Sequence, residues 1–368
     1  MKISRTLFNT CIYIVIFILV FSGIMLIYGS RIDNRYGFIM ADFALKQFFI
    51  ACAGFACMEY LRRIEFRRLE KMIKPMFLTA LFLLYAVLAA GVKINGMRGW
   101  FDLGFIYFQP SDVLKCLYIF GIADFYERSE NKEKAFFQTG FISIFWIGAI
   151  LLQPDYGTAV IYGLIFAVIS FLAGVKLYIL ALLPLCAVTS LAVFIGRKAY
   201  GFDRLYGFFS GNADISGSAW HWKQFQITIA EGGFFGKKID GSFWSSNYLP
   251  FAYNDSAYAA LHELTGFIGA ALLLGLFFVL LYLFFNQAKY IVKGKLFVLS
   301  GISAIMLQTL LHCSVNCALV PTTGITMPLI SYGGSSLLGT FLLLGMMLCA
   351  INSNAEPISD NHSIGFKN

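Results

Sequence analysis

Residue types able to do chemistry are confined to a few stretches of this chain. The longest runs from Arg197 to Ala257 and carries Asp203, Arg204, His221, Lys223, Gln224, Glu231, Lys237, Lys238, Asp240 and Asp255, together with Trp220, Trp222 and Trp244. A connection of that length is usually functional or disordered, and its aromatics and interspersed glycines argue against disorder. Asp255 closes it, where the next apolar run begins. A carboxylate at a dry membrane edge can have its pKa raised toward the range of a useful general base. The same carboxylate can equally cap the helix that follows. Position alone leaves both readings open.

Three other stretches stand out. Asp112 and Lys115 lie three apart inside an apolar run, where a charged pair must face protein or a cavity and can neutralise itself. Asp155, in the turn Gln153-Pro154-Asp155, can cap the next helix or hold a divalent cation, Mg or Mn. The run from Val320 to Ser336 is dense in hydroxyls and glycines and holds Pro321 and Pro328. Proline removes donors and glycine permits positive φ, so a regular helix is not expected there. A re-entrant segment lining a polar cavity fits better than a plain turn. His312 beside Cys313 and Cys317 suggests a metal by type, but small buried hydrophobes are the better reading, and no metal is expected at that group.

The elements that must position these residues are membrane helices. The chain is 59% hydrophobic and only 13% charged, with a mean hydropathy of +0.73; soluble domains carry about a quarter charged residues. The expected fold class is therefore all-α, one polytopic bundle spanning residues 1–368. Apolar runs place spans at Cys11–Tyr28, Phe43–Tyr60, Pro75–Val92, Pro110–Phe125, Ala135–Leu152, Tyr156–Gly174, Leu177–Ile195, Leu261–Phe285, Leu296–Asn316 and Ser335–Ile351. That makes ten. The first has no small-residue cleavage site after it and is expected to be retained.

Charge orients the bundle. Arg62, Arg63, Arg67, Arg68, Lys71 and Lys74 crowd one short loop, and Lys289, Lys293 and Lys295 another. The positive-inside rule puts these loops and both termini in the cytoplasm. The net charge of +8 is explained by this location, and no nucleic-acid partner is implied. Lys93–Gln109, Gln153–Asp155, Arg197–Ala257 and Ala318–Gly334 then share the outer face. The eight cysteines lie in or at the ends of apolar runs, so no disulfide framework is visible.

The order of these motifs resembles the SEDS family of bacterial membrane proteins, the FtsW, RodA and SpoVE group. Pro321-Thr322-Thr323-Gly324-Ile325 through Pro328 and Ser331-Tyr332-Gly333-Gly334-Ser335-Ser336 is similar to its terminal signature. Asn95-Gly96-Met97-Arg98-Gly99-Trp100, Phe108-Gln109-Pro110-Ser111-Asp112 with Lys115, Gln153-Pro154-Asp155 with Gly157-Thr158-Ala159, and Gly232-Gly233-Phe234-Phe235-Gly236 resemble its other motifs, in order. Leu249-Pro250 with Asn254-Asp255, followed by Gly266-Phe267-Ile268-Gly269, continues the match. Departures are Gly99 for a second arginine, Asp112 for a glutamate, and Phe251 and Tyr253 for the family's Glu and His.

The resemblance implies a peptidoglycan glycosyltransferase that polymerises lipid II, the undecaprenyl-pyrophosphate disaccharide-pentapeptide, beside a class B penicillin-binding protein and among membrane lipids. It implies the bacterial cytoplasmic membrane as location, and it serves elongation, division or sporulation without distinguishing them, although the short termini resemble the RodA branch. Such chemistry wants one base and several cations. Asp255 becomes the expected base, with inversion at the sugar carbon. Arg98, Lys115 and Arg204 become candidates for the pyrophosphate, and Trp100 either stacks on a sugar or anchors at the interface. Gln109, Asp155, Gln224, Thr323, Ser331 and Tyr332 complete the expected substrate-binding set. Two rivals stand beside the enzyme: a flippase of the same lipid-linked precursor, which broken helices and intramembrane charge also suit, and a scaffold weakened in catalysis by the altered neighbours of Asp255.

Overall fold

The computed structural model describes residues 3–29, 33–94, 96–104, 106–183, 218–237, 245, 248–249 and 251–354. Most of them are helical, as uninterrupted apolar runs require where no water can satisfy the backbone. Helices α1 (Arg5–Gly29), α2 (Asp33–Arg62) and α3 (Phe66–Ala90) are followed by α4 (Pro110–Arg128), α5 (Lys132–Leu152) and α6 (Tyr156–Leu172). A single turn, α7 (Leu177–Leu180), opens the expected seventh span, the rest of which lies outside the described residues. Then come α8 (Ser218–Gly232), α9 (Ala257–Ala288), α10 (Lys295–Asn316) and α11 (Gly334–Ser353).

Six of these helices are long and apolar enough to cross a membrane, or seven if the halves of α3 form one span. The α3 halves meet at 50° beside Pro75, which lacks the N–H for an intrahelical bond. Helix α6 is apolar but only 17 residues long, and α4 carries Asp112, Lys115, Asp124, Glu127 and Arg128. Helices α10 and α11 are the most enclosed, with 72% and 83% of their most apolar windows buried against 28–44% for α1, α2, α5 and α9. They form the centre of the bundle.

Two departures from a plain helical bundle matter for the site. The loop after α3, expected only as a connection from Lys93 to Gln109, folds into three short antiparallel strands: β1 (Val92–Ile94), β2 (Met97–Asp102) and β3 (Tyr107–Phe108). Val92 pairs with Trp100 and Phe101 with Phe108. The second departure is in α9. At 32 residues it is about 48 Å long by helical rise, well over the ~30 Å of a hydrocarbon core, and it breaks at Gly266 (φ 67°, ψ −175°). The backbone groups released there find partners in the glycine-rich turn after α8. Lys237 N donates to Glu263 O (2.9 Å), and Phe267 N to Gly233 O (2.9 Å). A Cβ at Gly266 would sit 2.4 Å from Gly236 N, so only glycine permits this docking. Fully buried Glu263 holds the same join: its carboxylate accepts from Ser245 N (2.9 Å) and lies 3.4 Å from Lys237 Nζ.

Candidate functional site

The ends of α3, α5 and α10 and the beginnings of α4, α6, α9 and α11 gather at one end of the bundle, and most of the residues singled out from sequence lie there. Asp255 sits in the turn before α9, shaped by Asn254 N and Ser256 N donating to Phe251 O (2.8 and 3.3 Å). The residue at the cap position of α9 is Ser256, and its side chain makes no capping hydrogen bond. The second and third helical N–H groups, which a cap would normally take, go to another helix. Tyr258 N donates to His312 Nε2 (3.3 Å) and Ala259 N to Asn316 Oδ1 (3.0 Å), both on α10. Asn316 Nδ2 in turn donates to the Asp255 carbonyl (3.0 Å). The capping duty thus falls to α10. The Asp255 carboxylate lies instead over Gly324, where a Cβ would be 3.7 Å from Oδ2.

The segment between α10 and α11 is irregular, as its prolines and glycines predict, and it is threaded among its neighbours, touching α2, α6, α10, α11 and the turn before α9. Near its start, a Cβ on Gly157 of α6 would meet Thr323 O at 2.1 Å. His312 Nδ1 donates to Ile325 O (2.7 Å). Gln308 Nε2 donates to Thr326 O (2.9 Å), and the Thr326 and Ser336 hydroxyls share a hydrogen bond of 2.8 Å. Ser331 Oγ accepts from Met327 N and donates to Asn254 O (2.8 and 2.7 Å), while Gln47 Nε2 of α2 donates to Ser331 O (3.1 Å). Tyr332 N donates to Tyr253 O (2.8 Å), and both rings pack against Phe43. Most of the segment's polar groups are thus matched by a side chain or carbonyl, as irregular backbone at membrane depth demands, while the buried Thr323 Oγ1 and Asn254 Oδ1 have no hydrogen-bond partner among the described residues.

A second group surrounds Asp155. Its carboxylate accepts from Thr158 N (3.0 Å), the capping geometry expected of it, and from Gln109 Nε2 (3.0 Å). Each oxygen accepts one hydrogen bond in a site only 5% exposed. Burial pushes its pKa up to about 6; the hydrogen bonds from Thr158 and Gln109 oppose this, and the charge of Asp112 adds to it. Gln109 N also donates to Ser335 Oγ (2.8 Å), tying the start of α4 to the start of α11. The carbonyl of Gln153 accepts from Arg98 N (3.3 Å), which brings the strand loop over this group. Lys115, 8% exposed, lies 3.9 Å from Asp112 and donates to Gln308 Oε1 (2.6 Å). The intramembrane pair thus continues through Gln308 to the 320–334 segment.

Asp255, Thr323, Ser331, Tyr332, Gln109, Asp155, Lys115 and the backbone of Arg98 consequently form one connected region. The Arg98 side chain is exposed and donates to Leu88 O (3.2 Å), and Trp100 is half-buried in β2. Gln224 is buried on α8, with its carbonyl accepting from Thr228. Arg204 lies outside the described residues, as do Asp203, Lys238, Asp240, Trp244 and Pro250. His312, considered from sequence only beside two cysteines, instead engages backbone with both ring nitrogens, so Nδ1 carries the proton. Sequence reasoning passed over Gln308 and Asn316. Their spacing was the available signal: 308, 312 and 316 repeat every four residues on one face of an otherwise apolar helix. A cavity of about 610 Å³ opens at the opposite end of α4 and α10, lined by Glu70, Asp124, Arg128, Lys132, Lys293 and Leu299 among others. It contains none of the expected site residues.

Comparisons with known proteins point the same way. The family model described as cell cycle protein (FtsW, RodA, SpoVE) matches residues 9–356. A probable peptidoglycan glycosyltransferase FtsW of Wigglesworthia glossinidia brevipalpis is 30% identical over 345 residues, covering 91% of this chain and 89% of that protein. One from Coxiella burnetii is 34% identical over 290 residues, covering 74% and 76%. Among solved structures, a chain from work on the structural coordination of polymerization and crosslinking by a peptidoglycan synthase complex is similar with a TM-score of 0.78 at 25% identity, over 94% of this chain and 98% of that one. The rod shape determining protein RodA of Thermus thermophilus has a TM-score of 0.69 at 25% identity, over 94% and 97%.

Proposed function

Since the chain belongs to the FtsW, RodA and SpoVE family of cell cycle proteins, we propose that it is a membrane-embedded peptidoglycan glycosyltransferase polymerising lipid II on the outer face of the bacterial cytoplasmic membrane. Relatives at 30% and 34% identity bear the name of that activity. The observation that carries the assignment to a site is the placement of Asp255: its carboxylate lies over Gly324 while the donors it could have capped are taken by α10. In this reading Asp255 accepts the proton of a sugar 4-hydroxyl as that oxygen attacks the anomeric carbon of a second lipid-linked sugar. The bond from that carbon to the pyrophosphate breaks, the configuration inverts, and no covalent enzyme intermediate is needed.

The leaving pyrophosphate is held in this reading by Arg98, Lys115 and Arg204, because charge-assisted contacts to phosphate oxygens are strong. Trp100, Gln109, Gln224, Thr323, Ser331 and Tyr332 complete the substrate-binding set. Asp155 acts by fixing the start of α6 and the position of Gln109. Ten spans with both termini in the cytoplasm suit the alternation of helix ends and the basic loops at 62–74 and 289–295. A class B penicillin-binding protein is the partner in this reading, supported by the similarity to a chain studied in a peptidoglycan synthase complex.

The test is Asp255→Asn, which keeps size and removes the basic oxygen. Labelled lipid II polymerisation by the purified protein with its partner is expected to fall by about 10²–10⁴, with the melting temperature unchanged. Polymerisation near the wild-type rate would remove Asp255 from the mechanism.

A further inference from the structure

We propose that His312 and Asn316 are positioning residues for Asp255: side chains of α10 that replace the missing cap of α9 and thereby fix the Asp255 carboxylate over Gly324. The proposal rests on the reading of Asp255 as general base and adds the device that keeps it one. Capping and base catalysis conflict on a single carboxylate, because accepting two or three backbone N–H bonds makes a carboxylate markedly more acidic. At the start of α9 two of the donors that could make that demand are taken by α10. The donors of Tyr258 and Ala259 are satisfied by His312 Nε2 and Asn316 Oδ1, and neither bond involves Asp255.

The same two side chains hold both sides of the Asp255–Gly324 contact. Asn316 grips the turn from above and below, donating to the Asp255 carbonyl and accepting from Ala259 N. His312 grips α9 through Nε2 and the loop through Nδ1, which donates to Ile325 O one residue beyond Gly324. They lie one helical turn apart on the same face of α10, linked by Asn316 Nδ2 donating to His312 O (3.0 Å). At 1% and 0% exposure they are set in one of the most enclosed helices of the bundle. Only neutral imidazole with its proton on Nδ1 can make both of the His312 bonds.

The test compares His312→Phe and Asn316→Leu, which remove these bonds, with His312→Gln, whose amide can both accept from Tyr258 N and donate to Ile325 O. Initial rates of lipid II polymerisation are measured against lipid II concentration for the full-length protein with its partner, per mole of monodisperse protein. The Phe and Leu variants are expected to lose about 10²-fold in kcat, the scale of a 1 Å misplacement, with KM within about twofold of wild type. His312→Gln is expected to recover at least a tenfold part of that loss. A purely structural role would lower the melting temperature while leaving kcat per folded molecule unchanged, and that result would overturn the proposal. Where the Leu substitution prevents folding, Asn316→Ala decides by the same comparison. Asp255→Asn run alongside separates the two readings. Wild-type rates there would defeat the base assignment, whereas an inactive Asn variant with fully active Phe and Leu variants would defeat the positioning role alone.

Discussion

Gly157→Ala is a small change with a calculable effect on the site. A Cβ at this position would lie 2.1 Å from Thr323 O and 3.0 Å from Thr323 C. Ordinary contacts to a Cβ begin at about 3.4 Å, so α6 and the 320–334 segment must separate by roughly 1 Å. The partner is backbone, and no flexible side chain is available to yield. Gly324 is the next residue, so the shift falls on the contact with Asp255. Overpacking of this kind costs about 1–3 kcal/mol of stability, while a 1 Å displacement of a catalytic contact can cost about 10²-fold in rate. Activity should therefore suffer far more than folding. Gly163→Ala is the matched control, on the same helix with nothing within 4 Å of its Cβ, and is expected to be neutral or to gain up to ~1 kcal/mol from helix propensity. The assay is the initial rate of lipid II polymerisation, with thermal midpoints recorded for both variants. A Gly157→Ala protein with wild-type rate, or equal rate losses in both variants, would refute the argument that the 320–334 segment must rest against α6 for Asp255 to work.

Asp155 has a folded-state pKa of about 6, above its ordinary value of about 3.9, so the folded protein binds this proton more tightly than the unfolded chain. Its contribution to stability is greatest below pH 4 and is lost as pH rises toward 6, by about 3 kcal/mol for a shift of this size; thermal midpoints at pH 5 and pH 8 should therefore differ less in Asp155→Asn than in wild type. Lys115→Met strands Asp112 and removes the donor to Gln308, and is expected to destabilise by about 3–5 kcal/mol. The double variant Asp112→Leu with Lys115→Met should recover much of this in the same unfolding measurement. Gly266→Ala places a side chain at φ 67°, 2.4 Å from Gly236 N, and should lower the thermal midpoint clearly. Gly275→Ala, with open space around it, should not.

Much of the helical frame was legible because hydropathy reports burial in lipid directly. The boundaries of α5, α10 and α11 fall within three residues of the apolar runs. Local relations were legible too. Asp112 and Lys115 at a spacing of three do pair, and Asp155 at a helix start does cap. What escaped were relations set by distant packing. Asp255 stands as plausibly at a cap position as Asp155 does, and only α10, some 55–60 residues later in sequence, gives its helix another source of acceptors. The strands at 92–108 are too short for an alternating pattern to stand out. The break at Gly266 sits inside a long apolar run, where one more glycine is unremarkable until the turn at 233–237 is seen to fill it. Glu263, a single carboxylate near the start of a long apolar run, is fully buried and tied to Lys237 and Ser245.

The threading of the 320–334 segment also bears on how the protein is made. Its anchors come from α1, α2, α6, α10 and the turn before α9, so nearly every partner is synthesised first. Gln47 waits for a carbonyl 284 residues later and Gln109 for a hydroxyl 226 residues later. Since chains emerge from the ribosome N-terminus first, the earlier helices can insert and pack while the centre is still unfilled. The site closes only when α11 enters and draws this segment in behind it. A chain stopped short of Gly334 would lack the Ser335 and Ser336 hydroxyls that engage Gln109 and Thr326, so the candidate site would stay unfastened until α11 is added.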